Sequence, residues 1–262
     1  MGASLAAKAS WFDVPIRPKL LLVSEFTELE WTIRPLLDQW AEIISHDPPG
    51  FGKEPLPADL PDVSELTRED VIQRDLERLD EAGWERYFVV ADGWGIATAA
   101  RIATRRRDAV AGVALGHAAL SFAREGERAP INAEVYDTFT QLVKQDAPSF
   151  VRYGIAQVTK GGLDEELAQQ IIERIPSEFM LEGWLAFTAD EAFGEVIVDL
   201  DRPLLLAKHE GCLMSTDEGF EDAVAALPDA ATAVVHDPPS ASPAFAEALR
   251  RFCERHWGEA TS

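Results

Sequence analysis

The chain has 262 residues, of which 47% are apolar and 27% charged, as expected for a globular protein with a full hydrophobic core. Its 46 acidic and 24 basic residues give a formal net charge of −22, which argues against nucleic acid or an anionic membrane surface as a partner. There is no apolar run of the roughly 20 residues that span a bilayer, no apolar core of a secretory signal and no disulfide framework, so we expect a cytoplasmic protein.

The first 121 residues alternate predicted strands and helices. The strand segments are short apolar runs, and the helical segments repeat apolar residues at a spacing of three and four. This alternation predicts a parallel sheet covered by helices, because parallel strands need a crossover segment between them. The predicted strands are 19–23, 40–45, 87–90 and 109–115, and the predicted helices are 30–39, 67–82 and 96–106.

Between residues 122 and 196 the pattern changes to helices alone, at 133–144, 149–159, 164–174 and 176–187. Strand signals return at 203–207 and 231–235, with helices at 220–227 and 243–257. We therefore predict an α/β fold, with a mostly parallel sheet and helices on both faces. Its core domain comprises residues 1–121 and 197–262. Residues 122–196 form an inserted helical cap over the carboxyl edge of the sheet, where ligands bind in open α/β sheets.

The predicted strand 87–90 runs into the pentapeptide Ala91-Asp92-Gly93-Trp94-Gly95. Small residues around a central position are typical of a nucleophile elbow, in which a strand turns sharply into a helix and presents one side chain to a pocket. The central residue here is Gly93, which has no oxygen or sulfur atom. A residue with a Cβ is strained by about 1–3 kcal/mol at such a position, and glycine removes that strain. From the pentapeptide alone, an ordinary glycine-rich turn is an equal alternative.

Two further features accompany the elbow. Residues 47–52 read D-P-P-G-F-G, and Trp31 lies at the start of the first predicted helix. Together these motifs resemble the α/β-hydrolase superfamily, and within it the epoxide hydrolase and haloalkane dehalogenase branch, which reads G-H-D-W-G at the elbow and D-x-P-G-F-G at the turn. The resemblance spans residues 19–257. It places Asp92 at the family's histidine and Gly93 at its carboxylate nucleophile.

The departures from this family fall on its catalytic positions. Residues 24–27 read Ser-Glu-Phe-Thr where the family has the H-G-F/N-P loop of the oxyanion or halide site, and the carboxylate of Glu25 would repel a developing oxyanion. Cys212 falls nearest the place of the acid that orients the catalytic histidine. His236 follows the last strand at once, which leaves a short loop for reaching the pocket. The resemblance thus implies that nucleophile, oxyanion loop and acid are lost together.

Six residues are predicted to line a ligand pocket from their places in these motifs. Asp92 adjoins the vacant nucleophile position, but neighbouring residues in a tight turn point in different directions, so we expect its carboxylate to bond backbone amides. Cys212 fits a small, half-buried residue better than a thiol nucleophile, since no cysteine-hydrolase signature is present. The predicted ligand-binding residues are Glu25, Phe26, Asp92, Gly93, Trp94 and His117.

Four of the five histidines follow predicted strands, and parallel strands bring such positions to one edge of the sheet. They are His46, His117, His209 and His236. Together with Glu210 they are candidates for general acid/base catalysis, and each also fits a loop histidine with local hydrogen bonds. Because no pair shares a chelating spacing, the sequence predicts no metal site, and we expect no cofactor.

The leading functional hypothesis is a catalytically degenerate relative of these hydrolases that binds a small, largely apolar ligand under the cap, or a protein partner. We expect no hydrolysis through a serine or aspartate nucleophile. The alternative is a lyase, isomerase or hydrolase without a covalent intermediate, in which His117, His209, Glu210 or His236 moves protons. A purely structural protein with an acidic docking face is a third reading.

Overall fold

The computed structural model describes residues 17–24, 26–93, 95–116, 165–176, 199–210 and 217–258, together with the single residues 141, 142, 145, 146, 149, 152 and 197. Within these ranges, no helix is both long and apolar enough to cross a lipid bilayer.

The described strands form one six-stranded sheet in which all neighbours are parallel, in the order β2-β1-β3-β4-β5-β6. This confirms the predicted parallel sheet. The central strands β3 and β4 are buried over their whole length. The strands are β1 (Lys19–Val23), β2 (Glu42–Ile44), β3 (Tyr87–Ala91), β4 (Val110–Gly116), β5 (Leu204–His209) and β6 (Ala231–Val235).

Helices cover both faces of the sheet, as predicted. Successive side chains of a strand point to opposite faces, so Leu21 and Val23 pack with α2, α3 and α5, whereas Leu20 and Leu22 pack with α1 and α6. Burial on both faces explains why the strands are apolar runs without alternation. The helices are α1 (Arg34–Leu37), α2 (Arg68–Glu81), α3 (Gly95–Arg105), α4 (Glu165–Arg174), α5 (Asp217–Ala226) and α6 (Pro243–Trp257).

The prediction of one helix over residues 30–39 was wrong. The chain instead forms a 3₁₀ turn at Glu28–Glu30 and then the short helix α1. Thr27 caps the turn with its side chain, which starts the helical hydrogen bonding earlier than predicted. Pro35, which lacks a backbone N–H, lies in the first turn of α1, where that loss is tolerated. The remaining described elements lie within a few residues of their predicted bounds.

The continuous described part of the predicted cap is residues 165–176, which contain α4. Its residues Ala168 and Ile171 form an apolar cluster with Phe51 of the loop after β2 and with Leu66 and Val71 near the start of α2. This segment is thereby held against the carboxyl-end side of β2. The predicted helices 133–144, 149–159 and 176–187 lie wholly or largely outside the described residues, and the boundaries of the cap remain predictions.

Candidate functional site

The connection between β3 and α3 is a tight turn centred on Gly93. Gly93 has a φ of +52°, in the left-handed region that favours glycine. The N–H of Gly95 donates to the carbonyl of Asp92 at 3.1 Å, and a Cβ on Gly95 would lie 3.1 Å from the carbonyl oxygen of Val23. The glycine at position 95 therefore allows α3 to start close against β1. This is the backbone geometry of a nucleophile elbow.

The carboxylate of Asp92 bonds backbone amides on both sides of the elbow. Its Oδ1 accepts from the N–H of Gly93 at 2.9 Å, and its Oδ2 accepts from the N–H of Ser240 at 3.0 Å. Gly116, at the end of β4, allows this approach, since a Cβ there would lie 2.5 Å from Oδ1 and 2.7 Å from Pro239. Asp92 thus ties the elbow to the loop that follows β6, as expected of a carboxylate that bonds loop amides.

The loop after β1 is closed by its own carboxylate. The backbone N–H groups of Phe26 and Thr27 both donate to Oε1 of Glu30. The Thr27 side chain accepts from the N–H of Leu29 at 2.9 Å and also from that of Glu30, so that Thr27 and Glu30 form a reciprocal capping box. Two amides of this loop therefore already bond an anionic oxygen within the chain.

The ends of β5 and β6 bring Glu210 and His236 together. Nδ1 of His236 lies 2.6 Å from Oε2 of Glu210, and the N–H of Glu210 donates to the carbonyl of Val235. The His236 side chain is 83% exposed and that of Glu210 is 52% exposed. This pair lies in solvent and not in a pocket, because His236 follows the last residue of β6 directly. The half-buried His209 ends β5.

His46 belongs to a buried pair with Asp75 of α2. Its Nδ1 lies 2.8 Å from the carbonyl oxygen of Asp47, which can only accept, so Nδ1 carries a proton. Its Nε2 lies 2.9 Å from Oδ1 of Asp75, an ion-pair distance that departs from the direction of an ideal hydrogen bond. Since both ring nitrogens face partners in the chain, His46 is not placed as a base for a substrate.

Asp47 connects the loop after β2 to α4. Its buried carboxylate accepts from Arg174 Nη1 at 2.9 and 3.1 Å and from the N–H of Glu28 at 3.0 Å. The N–H of Gly52 donates to the carbonyl of Arg174 at 2.8 Å, and a Cβ on Gly52 would lie 2.2 Å from Oδ2 of Asp47. The D-P-P-G-F-G turn is thus built to hold this helix.

Comparison of the structure with solved structures gives many similar chains. A Thermogutta terrifontis esterase has a TM-score of 0.68 and 20% identity, over 92% of this chain and 90% of its own. A Bacillus anthracis bromoperoxidase has a TM-score of 0.71 and 17% identity, over 91% of this chain and 92% of its own. A Pseudomonas aeruginosa protein proposed as an epoxide hydrolase has a TM-score of 0.66 and 17% identity, over 92% of this chain and 90% of its own. The chain has the α/β-hydrolase fold. No protein-family model matches the sequence, and no curated protein matches it either.

The resemblance places Gly93 at the nucleophile position and residues 24–27 at the oxyanion loop, and these assignments remain predictions. Glu25, Trp94, His117 and Cys212 lie outside the described residues, so their predicted places in the pocket remain predictions. Within the described part of the chain, no group of three or more His, Cys, Asp or Glu side chains is arranged to hold a metal ion.

Sequence reasoning missed three residues that shape this site. Glu30 was detectable, since Thr27-Glu28-Leu29-Glu30 is a capping-box sequence. Asp75 was detectable as a carboxylate on the apolar side of α2, between Ile72 and Leu79. Ser240, whose N–H bonds Asp92, had no signal, because its partner is 148 positions away in the chain.

Replacing Asp92 by asparagine should lower the free energy of unfolding by about 1–2 kcal/mol, although the two side chains have the same shape. Each carboxylate oxygen accepts one N–H, and an asparagine offers one oxygen and one NH₂ group, so one amide N–H would face another donor. Urea unfolding of the variant and wild type measures the difference. Equal stability of the two would contradict the bonding scheme described for Asp92.

Proposed function

We propose that this α/β-hydrolase-fold protein is catalytically degenerate and binds a small, largely apolar ligand under its cap. The observation that carries the proposal is Gly93 at the centre of the elbow, with a φ of +52°. Covalent hydrolysis in this fold needs an oxygen or sulfur nucleophile at that position, and glycine supplies none.

The neighbouring carboxylate does not replace the missing nucleophile. Both oxygens of Asp92 accept backbone N–H groups, from Gly93 and from Ser240. Such hydrogen bonds to an ionised group contribute about 1.5–3 kcal/mol each, and an attack on a substrate would have to break at least one of them. The role of Asp92 in this proposal is to position the loop after β6.

The loop after β1 also lacks the means to stabilise an oxyanion. An oxyanion site requires N–H groups that point at the developing charge and are not already bonded to an anion. Here the N–H groups of Phe26 and Thr27 donate to the carboxylate of Glu30. A substrate oxyanion would therefore have to displace a negatively charged side chain of the same loop.

An alternative function, acid/base catalysis without a covalent intermediate, is favoured by one observation. Glu210 and His236 lie 2.6 Å apart at the ends of β5 and β6, which is hydrogen-bond distance for a carboxylate that orients an imidazole. However, both side chains are more than half exposed, and catalytic power of this kind depends on a site that excludes water. We therefore rank this function second.

We infer an apolar ligand because the backbone amides beside the predicted pocket already have hydrogen-bond partners within the chain. The amides at the elbow and in the loop after β1 bond carboxylates of the chain itself, so apolar contact has to supply most of the binding. Phe26 is half-buried and packs against the cluster that includes Phe51 and Ala168 of α4. Of the predicted ligand-binding residues that the structure describes, Phe26 is the aromatic one.

Ethyl hexanoate is a suitable probe because a hydrolase would cleave it and a binding protein would not. We expect tryptophan fluorescence to report saturable binding, weakened about fivefold or more in Phe26→Ala, and gas chromatography to recover the ester intact. Leu36→Ala, which removes an exposed apolar residue elsewhere, is the matched control and should bind normally. Failure to bind would contradict the ligand proposal and favour a surface role with a protein partner. Release of hexanoate that requires Asp92 would contradict degeneracy.

A further inference from the structure

The sheet ends on a strand with an open side, β6. It is bonded to β5 on one side, and no described strand pairs with its other side. The sequence of β6, A-T-A-V-V, contains no charged residue and no proline, two features that commonly block an exposed edge. At the opposite edge of the sheet, β2 is only three residues long and carries the exposed Glu42. The edge of β6 is therefore the one that can accept a further strand.

The pairing of β6 with β5 identifies which backbone groups face outward. The N–H of Glu210 donates to the carbonyl of Val235 at 2.8 Å, so the backbone groups of Val235 point towards β5. Backbone groups alternate in direction along a strand, and those of Thr232 and Val234 therefore point away from the sheet. These two residues offer a row of N–H donors and carbonyl acceptors to a neighbouring strand.

The side chains of the same two residues lie on the face of the sheet that α5 covers. Thr232 is paired with Leu206, which packs in one cluster with Phe220 of α5, whereas Ala233 packs in the cluster of α6 on the other face. Val234 is 58% exposed, more than any other large apolar side chain of the described residues. A strand added beside β6 would cover it and supply a cross-strand neighbour.

The helix on this face carries only acidic charges. Lys208 of β5 pairs with the first of these acids, Asp217, at 2.6 Å. Among the described residues, the other acids form no ion pair. The exposed acids of α5 and of the turn before β6 are Asp217, Glu218, Glu221, Asp222 and Asp229. The surroundings of the edge on this face thus attract positive charge.

We propose that β6 binds an extended basic segment of a partner protein, which adds to the sheet as a further strand. The backbone of the segment bonds the outward N–H and carbonyl groups of Thr232 and Val234. Its lysine side chains lie on the α5 face, where their aliphatic stems cover Val234 and their ammonium groups reach the acids of α5. The proposal does not depend on ligand binding under the cap.

A second copy of this chain fits the same edge less well. Antiparallel pairing of two β6 strands about a two-fold axis would bring α5 of one copy to the same side of the sheet as α5 of the other. Both helices are acidic, and each copy has a formal net charge of −22. The charges that attract a basic segment therefore oppose self-association.

Fluorescence anisotropy with a labelled peptide tests the proposal. The probe is the heptapeptide Lys-Val-Lys-Val-Lys-Val-Lys, in which alternation puts all lysines on one face of a strand. A control peptide has its three central amides N-methylated, which keeps the charge and the side chains but removes backbone donors. In about 0.15 M salt, which screens long-range attraction, we expect saturable binding of the probe and at least about tenfold weaker binding of the control.

Variants locate the binding. Val234→Pro removes an outward N–H and no bond to β5, which edge strands tolerate, and should weaken binding by about tenfold. Glu221→Gln combined with Asp222→Asn should weaken it by about threefold, because two attracting charges are lost. Glu42→Gln combined with Asp59→Asn removes the same charge from exposed positions in β2 and the loop after it, and should leave the affinity unchanged.

The proposal would be overturned by a lack of probe binding or by equal binding of the N-methylated peptide. Full binding by Val234→Pro, once circular dichroism shows this variant to be folded, would overturn it as well. Sedimentation equilibrium of the protein without peptide tests the other occupant. We expect no dimer that depends on Val234, and a dimer that Val234→Pro dissociates would assign the edge to a second copy instead.

Discussion

Replacing Asp75 by alanine should lower the free energy of unfolding by about 3–5 kcal/mol, the loss typical of a buried pair that is deprived of one partner. Asp75 is almost wholly buried in α2 and lies 2.9 Å from Nε2 of His46. The truncation leaves the buried imidazole opposite an apolar methyl group and opens a void beside it. Because α2 also packs against the sheet through Ile72 and Leu79, the loss spreads to the core.

The effect should depend on pH. Burial alone would lower the pKa of His46, but Asp75, with help from the Asp47 carbonyl and Glu54, raises it above its usual 6.5. Burial raises the pKa of Asp75 as well, more than His46 lowers it. Both groups hold protons more tightly when folded than when unfolded. The stability due to the pair is therefore present at low pH and falls as the pH rises above 6.5 through the raised pKa of His46.

Urea unfolding at pH values below and above 6.5 measures both the loss of stability in Asp75→Ala and its dependence on pH. The difference in stability between wild type and Asp75→Ala should shrink as the pH rises above 6.5. Asp75→Asn, whose NH₂ group can donate to a neutral Nε2, should lose less stability and show a flatter pH profile. Asp80→Ala, an exposed ion-pair residue on the same helix, should cost at most about 1 kcal/mol. A difference in stability that grows with pH would contradict a raised pKa of His46 in the folded protein.

Introducing a nucleophile at the elbow should destabilise the protein without creating a hydrolase. We expect Gly93→Asp and Gly93→Ser to lower the free energy of unfolding by about 1–3 kcal/mol, because φ is +52° at this position and side chains with a Cβ are strained there. Neither variant should hydrolyse esters or haloalkanes, since the loop amides of Phe26 and Thr27 remain bonded to Glu30.

A matched glycine separates backbone strain from crowding. Gly83 has a φ of +63°, and a Cβ there would have no atom within 4 Å, so Gly83→Ser measures the cost of the backbone conformation alone. If Gly93→Ser lowers the free energy of unfolding more than Gly83→Ser does, the difference measures the crowding of the side chain inside the elbow. Esterase or dehalogenase turnover by either Gly93 variant would show that the remaining catalytic apparatus is intact, contrary to this account.

The fold was largely predictable from local pattern. Apolar runs such as Leu20–Leu22 and the helical spacing of Val71, Ile72, Leu76 and Leu79 reflect burial directly, so strand and helix positions followed from the sequence. The exception was the stretch 30–39, where a capping box and Pro35 outweigh apolar spacing. The capping box and the proline are local signals too, but they act through backbone hydrogen bonds, which a pattern of apolar residues does not reveal.

The site was predictable only where its motif was contiguous. The elbow glycine and the adjoining Asp92 could be placed because five consecutive residues define the turn. The contacts that decide their chemistry join distant segments, such as Asp92 with Ser240, and the pairing of His46 with Asp75. The sequence also did not reveal how exposed a side chain is: Glu210 and His236 do meet at the strand ends, but both lie in solvent.

The central claim is that this chain has lost the covalent hydrolysis of its fold, and a turnover assay tests it most directly. Purified wild type would be assayed with 4-nitrophenyl butyrate, a terminal epoxide and a 1-bromoalkane, beside Asp92→Ala, which removes the one described carboxylate at the elbow. The account predicts no turnover above the buffer rate for any substrate and no difference between the two proteins. Turnover by the wild type that Asp92→Ala abolishes would contradict it.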